Sequence, residues 1–131
     1  MKRVSKRMLM MPIVEQVLRQ HVTKPVVMLD LCAAPGGKST HARSVLPEGS
    51  LLVANEVIRN RSQILAENLT KWGHPDVVVT NNDPADFSAL PSFFDVILTD
   101  VIRWPLKNGV RRMWKFAGNG NGGLLRTFGR V

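Results

Sequence analysis

The chain has a single cysteine, Cys32, among its 131 residues. An internal disulfide is therefore excluded, which fits a reducing compartment, and we expect a cytoplasmic protein. One cysteine and three scattered histidines have no metal-ligand spacing, so no metal site is expected. No apolar run approaches the roughly 20 residues that a membrane-spanning helix needs. We therefore expect a protein without a membrane partner.

Acidic residues are missing from the last part of the chain. Residues 101–131 contain 7 Lys and Arg and no Asp or Glu, whereas residues 1–100 contain 11 basic and 10 acidic residues. All but one unit of the net charge of +8 therefore comes from the end of the chain. We predict a domain over 1–100 and a basic irregular tail over 101–131, with a linker around residues 118–123. Such a tail would bind phosphates without sequence preference, or would simply be a disordered charged end.

Apolar runs of strand length alternate with segments of helical periodicity. This order predicts an α/β fold with a parallel sheet of about four strands and flanking helices. Ligands of such folds bind where the carboxyl ends of the strands meet. The predicted helices span 12–22, 38–45 and 59–71, and the predicted strands span 26–31, 51–55, 77–80 and 94–99.

Polar or glycine-rich groups follow each of the four predicted strands: Cys32–Lys38, Glu56, Asp83 and Asp100. Gly36 and Gly37 let the backbone approach a ligand closely at the start of a helix. Glu56 comes 19 residues after Gly37, near the spacing at which an acid binds ribose hydroxyls in nucleotide-binding βαβ units. Asp83 either accepts from an adenine amino group or is a turn-forming residue.

Asp30 lies inside the first predicted strand, where an unpaired acid is costly. It therefore either anchors the following loop or meets a cationic group of the ligand.

Two phosphate-binding motifs are incomplete here. Gly37-Lys38-Ser39 is similar to the end of a P-loop, but that pattern needs glycine where the chain has Cys32, and Pro35 removes a backbone donor. The dinucleotide pattern of three glycines is also absent. A degenerate P-loop nucleotidase is therefore the weaker alternative, and a nucleoside without phosphates, most commonly S-adenosylmethionine in this architecture, fits better.

The run 29–40, LDLCAAPGGKST, closely resembles the cofactor motif of the Sun/nucleolar-protein family of RNA cytosine-C5 methyltransferases. Segments 54–61, 82–83 and 94–100 are similar to its next three motifs, so the resemblance covers about residues 13–100. It implies a partial Rossmann-like class I methyltransferase fold, S-adenosylmethionine as cofactor and RNA (rRNA or tRNA) as partner. Arg61 would either support the cofactor site or be solvated. By carry-over, the cofactor-binding residues are Cys32, Ala33, Ala34, Pro35, Gly36, Gly37, Lys38, Glu56, Asp83 and Asp100.

The resemblance ends where the family's reactive cysteines would stand. Members carry a Pro-Cys pair directly after the acid that matches Asp100, and a second cysteine further on, whereas here Val101–Pro105 follow and neither cysteine is present. Cys32 belongs to the cofactor loop and does not replace them. We therefore expect no catalytic residue and a truncated, inactive methyltransferase. The alternative is a non-enzymatic RNA-associated fragment that binds through its basic tail.

The change in composition at residue 101 is abrupt. Our hypothesis is that 101–131 derives from a deletion or an out-of-frame reading of a gene for a longer enzyme. Four strands would also leave the last one with an unpaired edge, which predicts self-association.

Overall fold

A computed structural model describes the backbone of residues 11–106, 109–118 and 126–128, and the side chains of residues 14–99. Its helices are α1 (Met11–His21), α2 (Gly37–Val45) and α3 (Arg59–Trp72), with a 3-10 helix at Pro84–Ala89. Its strands are β1 (Val27–Asp30), β2 (Leu51–Asn55), β3 (Val77–Thr80), β4 (Val96–Leu106), β5 (Gly109–Gly118) and β6 (Arg126–Phe128).

The strands form one sheet in the order β3-β2-β1-β4-β5-β6. The first four strands are parallel, with Asp30 of β1 level with Ala54 of β2 and Leu98 of β4. This confirms the predicted parallel sheet with flanking helices. Because the chain leaves β1 toward β2 on one side and later returns as β4 on the other, the strand order reverses between β1 and β4. Ligands of open α/β sheets bind at such a point.

The backbone beyond residue 100 differs from the irregular tail that we expected. β4 continues to Leu106, and β5 pairs with it antiparallel from Val96↔Gly118 to Leu106↔Gly109. Strand pairing depends on backbone hydrogen bonds to a neighbour, which side-chain periodicity does not reveal. β4 is therefore no unpaired edge, and the edge strands of the described sheet are β3 and β6. The predicted linker at 118–123 falls largely outside the described residues, and the division into a domain and a tail stays a prediction.

Alternate residues of the strands pack on opposite faces of the sheet, as the two-residue repeat of a strand requires. One face carries all three helices: Leu18 of α1 and Ala42 of α2 pack with Leu52, and Leu65 of α3 packs with Ala54. The opposite face has a smaller cluster, in which Leu29, Val53 and Phe94 are buried with the segment after β3 as their cover. Within the described residues no helix is both long and apolar enough to cross a membrane.

Candidate functional site

Side chains of α3 hold the loop between β1 and α2 in place. Arg61 Nη2 donates to the Ala34 carbonyl at 3.2 Å, and Asn68 Nδ2 donates to the Pro35 carbonyl at 2.7 Å. Gly36 has a φ of +114°, and a Cβ there would lie 3.2 Å from Leu65 Cδ1. A side chain at this position would therefore have a strained backbone and a tight contact with α3, which favours glycine.

The other side of this loop is open. No heavy atom lies within 4 Å of the Cβ that would be added at Gly37, the first residue of α2. Ala33 and Ala34 are buried, Pro35 and Gly37 are exposed, and Cys32 and Lys38 are half-buried. The backbone at the start of α2 therefore borders open space that a ligand can enter.

Asp30 anchors the loop from inside the sheet. Its carboxylate is fully buried; Oδ2 accepts from Ser39 Oγ at 2.9 Å, and Oδ1 accepts from the Cys32 amide at 3.4 Å. Burial raises the pKa of Asp30 to about 6, although the Ser39 hydrogen bond and the Lys38 charge oppose this increase. Of the two roles predicted for Asp30, these contacts correspond to the anchoring one.

Glu56, directly after β2, is 2% exposed. Its Oε1 accepts from the Ile58 amide at 3.3 Å and lies 3.7 Å from Arg61 Nη1. Its Oε2 is buried and has no hydrogen-bond partner within the part of the chain that the structure describes. A buried carboxylate oxygen without a donor is costly, so this atom can accept a hydrogen bond from a ligand hydroxyl.

The first loop and Glu56 share one electrostatic environment. The pKa of Cys32 is raised mainly by burial, and in addition by the negative charges of Glu56 and Asp30, while Lys38 and Arg61 act in the opposite direction. The structure thus brings together the loop residues and Glu56, which the sequence had predicted to be neighbours.

Within the described part of the chain, the structure does not show Asp83 or Asp100 hydrogen-bonded to the loop after β1 or to Glu56. Asp83 is exposed, and its Oδ1 accepts from the Ala85 amide at 2.8 Å, so it caps the 3-10 helix as a turn-forming residue does. Its loop nevertheless lies at the carboxyl end of β3, next to that of Glu56. Asp100 is in β4, level with Trp114 of β5, and its side chain is outside the described residues. The contacts of both residues with a cofactor stay predictions.

Sequence reasoning missed Asn55, the last residue of β2. It is fully buried, and its amide connects the ends of β1 and β3. Asn81 was missed as well; its Nδ2 donates to the Glu56 carbonyl at 2.6 Å. The available signal was an asparagine at the end of the otherwise apolar strand LLVAN. Among side chains 14–99, no group of three or more His, Cys, Asp or Glu could hold a metal ion.

A family model described as "16S rRNA methyltransferase RsmB/F" matches residues 16–102. The chain belongs to this family. The match covers the loop, Glu56 and Asp83, and it ends just after Asp100. It confirms the resemblance on which the sequence analysis relied.

Curated relatives of this RsmB/F-family chain include enzymes named for different RNAs. Ribosomal RNA small subunit methyltransferase F of Pectobacterium atrosepticum is 37% identical over 85 residues, which are 64% of this chain and 18% of the relative. The tRNA (cytosine(49)-C(5))-methyltransferase of Pyrococcus abyssi is 36% identical over 93 residues, 70% of this chain and 29% of the relative. The chain spans about a fifth of the length of the bacterial relatives that it matches.

Solved structures agree on the fold. A protein-L-isoaspartate O-methyltransferase superimposes with a TM-score of 0.64 at 18% identity, over 97% of this chain and 47% of that chain. NSun6 from Pyrococcus horikoshii with SFG has a TM-score of 0.56 at 28% identity, over 67% of this chain and 23% of that chain. The chain therefore has the Rossmann-like fold of class I methyltransferases, with the candidate site at the carboxyl ends of its parallel strands.

Proposed function

We propose that this chain binds S-adenosylmethionine at the carboxyl ends of β1, β2 and β3. The observation that carries the proposal is the buried Oε2 of Glu56, which has no donor among the described residues. A ribose hydroxyl would supply that donor, and the spacing between the loop and Glu56 is the one at which nucleotide-binding βαβ units do this.

Each part of the site has a separate task in this proposal. Glu56 accepts from the ribose, and the open backbone at Gly37 and the start of α2 holds the carboxylate of the methionine part. Lys38 adds positive charge beside that carboxylate. Asp83 and Asp100 are the proposed remaining contacts, on the adenine side and near the methionine part respectively. When bound, the cofactor supplies an electrophilic methyl group.

We further propose that the parent activity is RNA cytosine-C5 methylation and that this chain alone does not complete it. Attack by C5 of cytosine requires a thiolate added at C6. The chain has one cysteine, Cys32, and it lies in the cofactor loop. Burial raises its pKa, which is the opposite of the change that activates a nucleophilic thiol. The names of the relatives support rRNA or tRNA as the RNA class.

A second candidate function follows from the charge distribution. Residues 101–131 carry 7 basic and no acidic residues, and the alternative proposal is therefore a non-enzymatic fragment that binds RNA through this segment. Such binding would weaken steeply with salt and would show no sequence preference.

Titration calorimetry tests the cofactor proposal. We expect wild-type protein to bind S-adenosylhomocysteine, and Glu56→Gln to weaken this binding by roughly 10- to 100-fold, because a hydrogen bond to a charged group is lost. Glu48→Gln, at an exposed turn between α2 and β2, is the matched control and should bind like wild type. Undetectable binding by the wild type, or equal binding by Glu56→Gln, would overturn the proposal.

Two further measurements separate the alternatives. Tighter binding of ATP than of S-adenosylhomocysteine would favour the hypothesis of a degenerate P-loop nucleotidase. Salt-sensitive binding of a short RNA, without binding of S-adenosylhomocysteine, would favour the RNA-associated fragment. A radiolabelled methyl-transfer assay on bulk RNA should give no signal above a no-enzyme blank. Transfer by this chain would show that the missing cysteines are not needed.

A further inference from the structure

Asn55 is fully buried, and its side chain uses its whole hydrogen-bonding capacity. Nδ2 donates to the Leu31 carbonyl at 3.3 Å and to the Asn82 carbonyl at 2.9 Å. Oδ1 accepts from Thr80 Oγ1 at 2.8 Å and from the Asn82 amide at 2.9 Å. Both donors and both acceptor positions of the amide are therefore filled.

This arrangement admits only one orientation of the amide. Two carbonyl oxygens need donors and the Asn82 amide N–H needs an acceptor, so exchanging Nδ2 and Oδ1 would break these three bonds, and only the Thr80 hydroxyl, which can also accept, could adapt. Aspartate at this position would face two carbonyl oxygens without a proton, and a shorter side chain would leave buried groups unpaired. The network therefore requires asparagine in particular.

The partners of Asn55 belong to two different loops. Leu31 begins the loop that leads to Gly36 and Gly37, while Asn82 precedes Asp83 in the loop after β3. The backbone of β2 continues the connection, because the Asn55 carbonyl accepts from the Ala33 amide at 2.8 Å and the Glu56 amide donates to the Thr80 carbonyl at 3.1 Å. Glu56 lies between the two loops.

We infer that Asn55 is a positioning residue: its amide fixes the spacing between the loop after β1 and the loop after β3, so that one extended ligand contacts both. The inference rests on the proposed function and names what sets the geometry of that site. Asn55 itself touches no ligand, since its polar atoms are all occupied within the protein. Its effect is to hold two contact surfaces in register before the ligand arrives.

A preformed spacing favours ligands that span it. S-adenosylhomocysteine would contact the first loop, Glu56 and the second loop together, whereas adenosine would contact Glu56 and the second loop. Contacts made together by one rigid ligand reinforce each other only when the protein holds them at the matching distance. Loss of the Asn55 network should therefore lower the affinity for S-adenosylhomocysteine more than the affinity for adenosine.

The test compares Asn55→Asp with wild type in titrations of both ligands between pH 5.5 and pH 8. At pH 8 we expect Asn55→Asp to bind S-adenosylhomocysteine roughly tenfold or more weakly, with a smaller loss for adenosine. As the pH falls, the buried carboxyl takes up a proton and again donates to one carbonyl, so affinity should recover. The ratio of affinities at each pH reports the substituted carboxyl, because both proteins have the same neighbouring charged or ionisable groups: Asp30, Cys32, Glu56, Lys38 and Arg61.

Ser50→Ala is the matched structural control. Ser50 is 1% exposed, and its Oγ accepts from the Val26 amide at 3.0 Å at the opposite end of the sheet. Its loss should lower the melting temperature without changing the preference for S-adenosylhomocysteine over adenosine. Thr80→Val removes only the hydroxyl that donates to Asn55, and it provides the measurement if Asn55→Asp does not fold; a smaller but still selective loss is expected.

The possible outcomes separate this inference from the proposed function. Wild-type protein that binds no S-adenosylhomocysteine would overturn both. Normal wild-type binding together with equal losses for the two ligands, or with no recovery at low pH in a folded Asn55→Asp protein, would overturn the inference and leave the cofactor proposal standing. A selective loss that recovers at low pH supports it.

Discussion

Three buried polar side chains at the carboxyl ends of β1 and β2 differ in how completely they are hydrogen-bonded. Asn55 is saturated, Asp30 is bonded at both oxygens, and Glu56 retains one buried oxygen without a partner. Buried polar groups are almost always satisfied in folded proteins, so the exception is informative. Under the proposed function, the saturated groups build the site, and the unsatisfied oxygen of Glu56 is the one that would accept from the ligand.

The sequence predicted that Glu56 lies next to the loop after β1, but it gave no role to Asn55, and the reason is physical. An acid at the end of a second strand is placed by the repeat of the βαβ unit, which spacing alone reveals. The role of Asn55 depends on Leu31, Thr80 and Asn82, which only the folded sheet brings to it. The role of Asp30 was partly predictable. Its position inside a strand predicted burial, but the sequence did not show that Ser39 would be its hydrogen-bond partner.

Asp30 predicts a pH dependence of stability. Its pKa in the folded protein is about 6, above the ordinary 3.8, so folding favours the protonated form. The corresponding stability is present below pH 4 and is lost as the pH rises through 6. Because Asn cannot ionise, Asp30→Asn should gain stability relative to wild type over this range, by at most about 3 kcal/mol. Urea unfolding of both proteins from pH 4 to pH 8 measures this.

Ser39→Ala sharpens that test. The Ser39 hydroxyl stabilises the charged carboxylate and lowers the pKa of Asp30, so its removal should shift the loss of stability to higher pH. Unfolding free energies of wild type and Asp30→Asn that run parallel from pH 4 to pH 8 would contradict the assignment.

At the scale of elements, α3 positions the loop between β1 and α2. Arg61, Leu65 and Asn68 recur on one face of the helix, and each contacts the loop after β1. The sequence had predicted this helix from its apolar residues alone. The sequence left open whether Arg61 supports the site or is solvated, and the contacts with the carbonyls of Ala34 and Pro35 correspond to a supporting role; which carbonyls are bonded carries no signal in the sequence.

The prediction at this scale concerns two neighbouring glycines. Gly36→Ala should destabilise the protein by about 1–2 kcal/mol, because φ is positive and Leu65 blocks the new methyl group. Gly37→Ala is the matched control; it lies in the first turn of α2 with open space around it, so its stability should stay equal or increase by up to about 1 kcal/mol. Urea unfolding measures both changes.

Gly37→Ala should nevertheless bind S-adenosylhomocysteine less well, because its new methyl group enters the space assigned to the ligand. Equal destabilisation by the two substitutions would argue against the support of the loop by α3. If Gly37→Ala bound S-adenosylhomocysteine with unchanged affinity, the ligand would not bind next to this backbone.

Prediction of the elements was accurate where packing and local pattern agree. β2 and β3 have the predicted bounds, since turn residues flank their short apolar runs. β4 was wrong at its end, and β5 was not predicted. Both depend on pairing between distant strands rather than on a local pattern.

For the whole molecule, the two faces of the sheet are unequally covered. Three helices pack on one face, whereas Phe87 and Phe94 of the segment after β3 provide the described cover on the other. A cavity of about 280 Å³ opens on that side, lined by apolar residues that include Leu31, Leu90 and Ile97. Val78 on the edge strand β3 is 45% exposed on the same face.

Self-association through a sheet edge remains our prediction, and β3 is now the edge that it concerns. An unpaired edge offers free backbone groups, and natural proteins often protect such edges with a lysine. The apolar side chain of Val78 gives no such protection. We expect the average mass of the wild type, 14.6 kDa as a monomer, to increase with concentration in sedimentation equilibrium. Val78→Lys should shift the protein to the monomer.

Gln63→Lys places the same charge on the exposed surface of α3 and serves as the control for net charge. It should associate as the wild type does, because Gln63 lies on a helix, which has no unpaired strand edge to offer a second copy. If both lysine variants became monomeric, general charge repulsion would explain the result better than edge pairing. If the wild type stayed monomeric at all concentrations, the four-residue length of β3 would itself be sufficient protection, since a short edge offers few hydrogen bonds to a second copy.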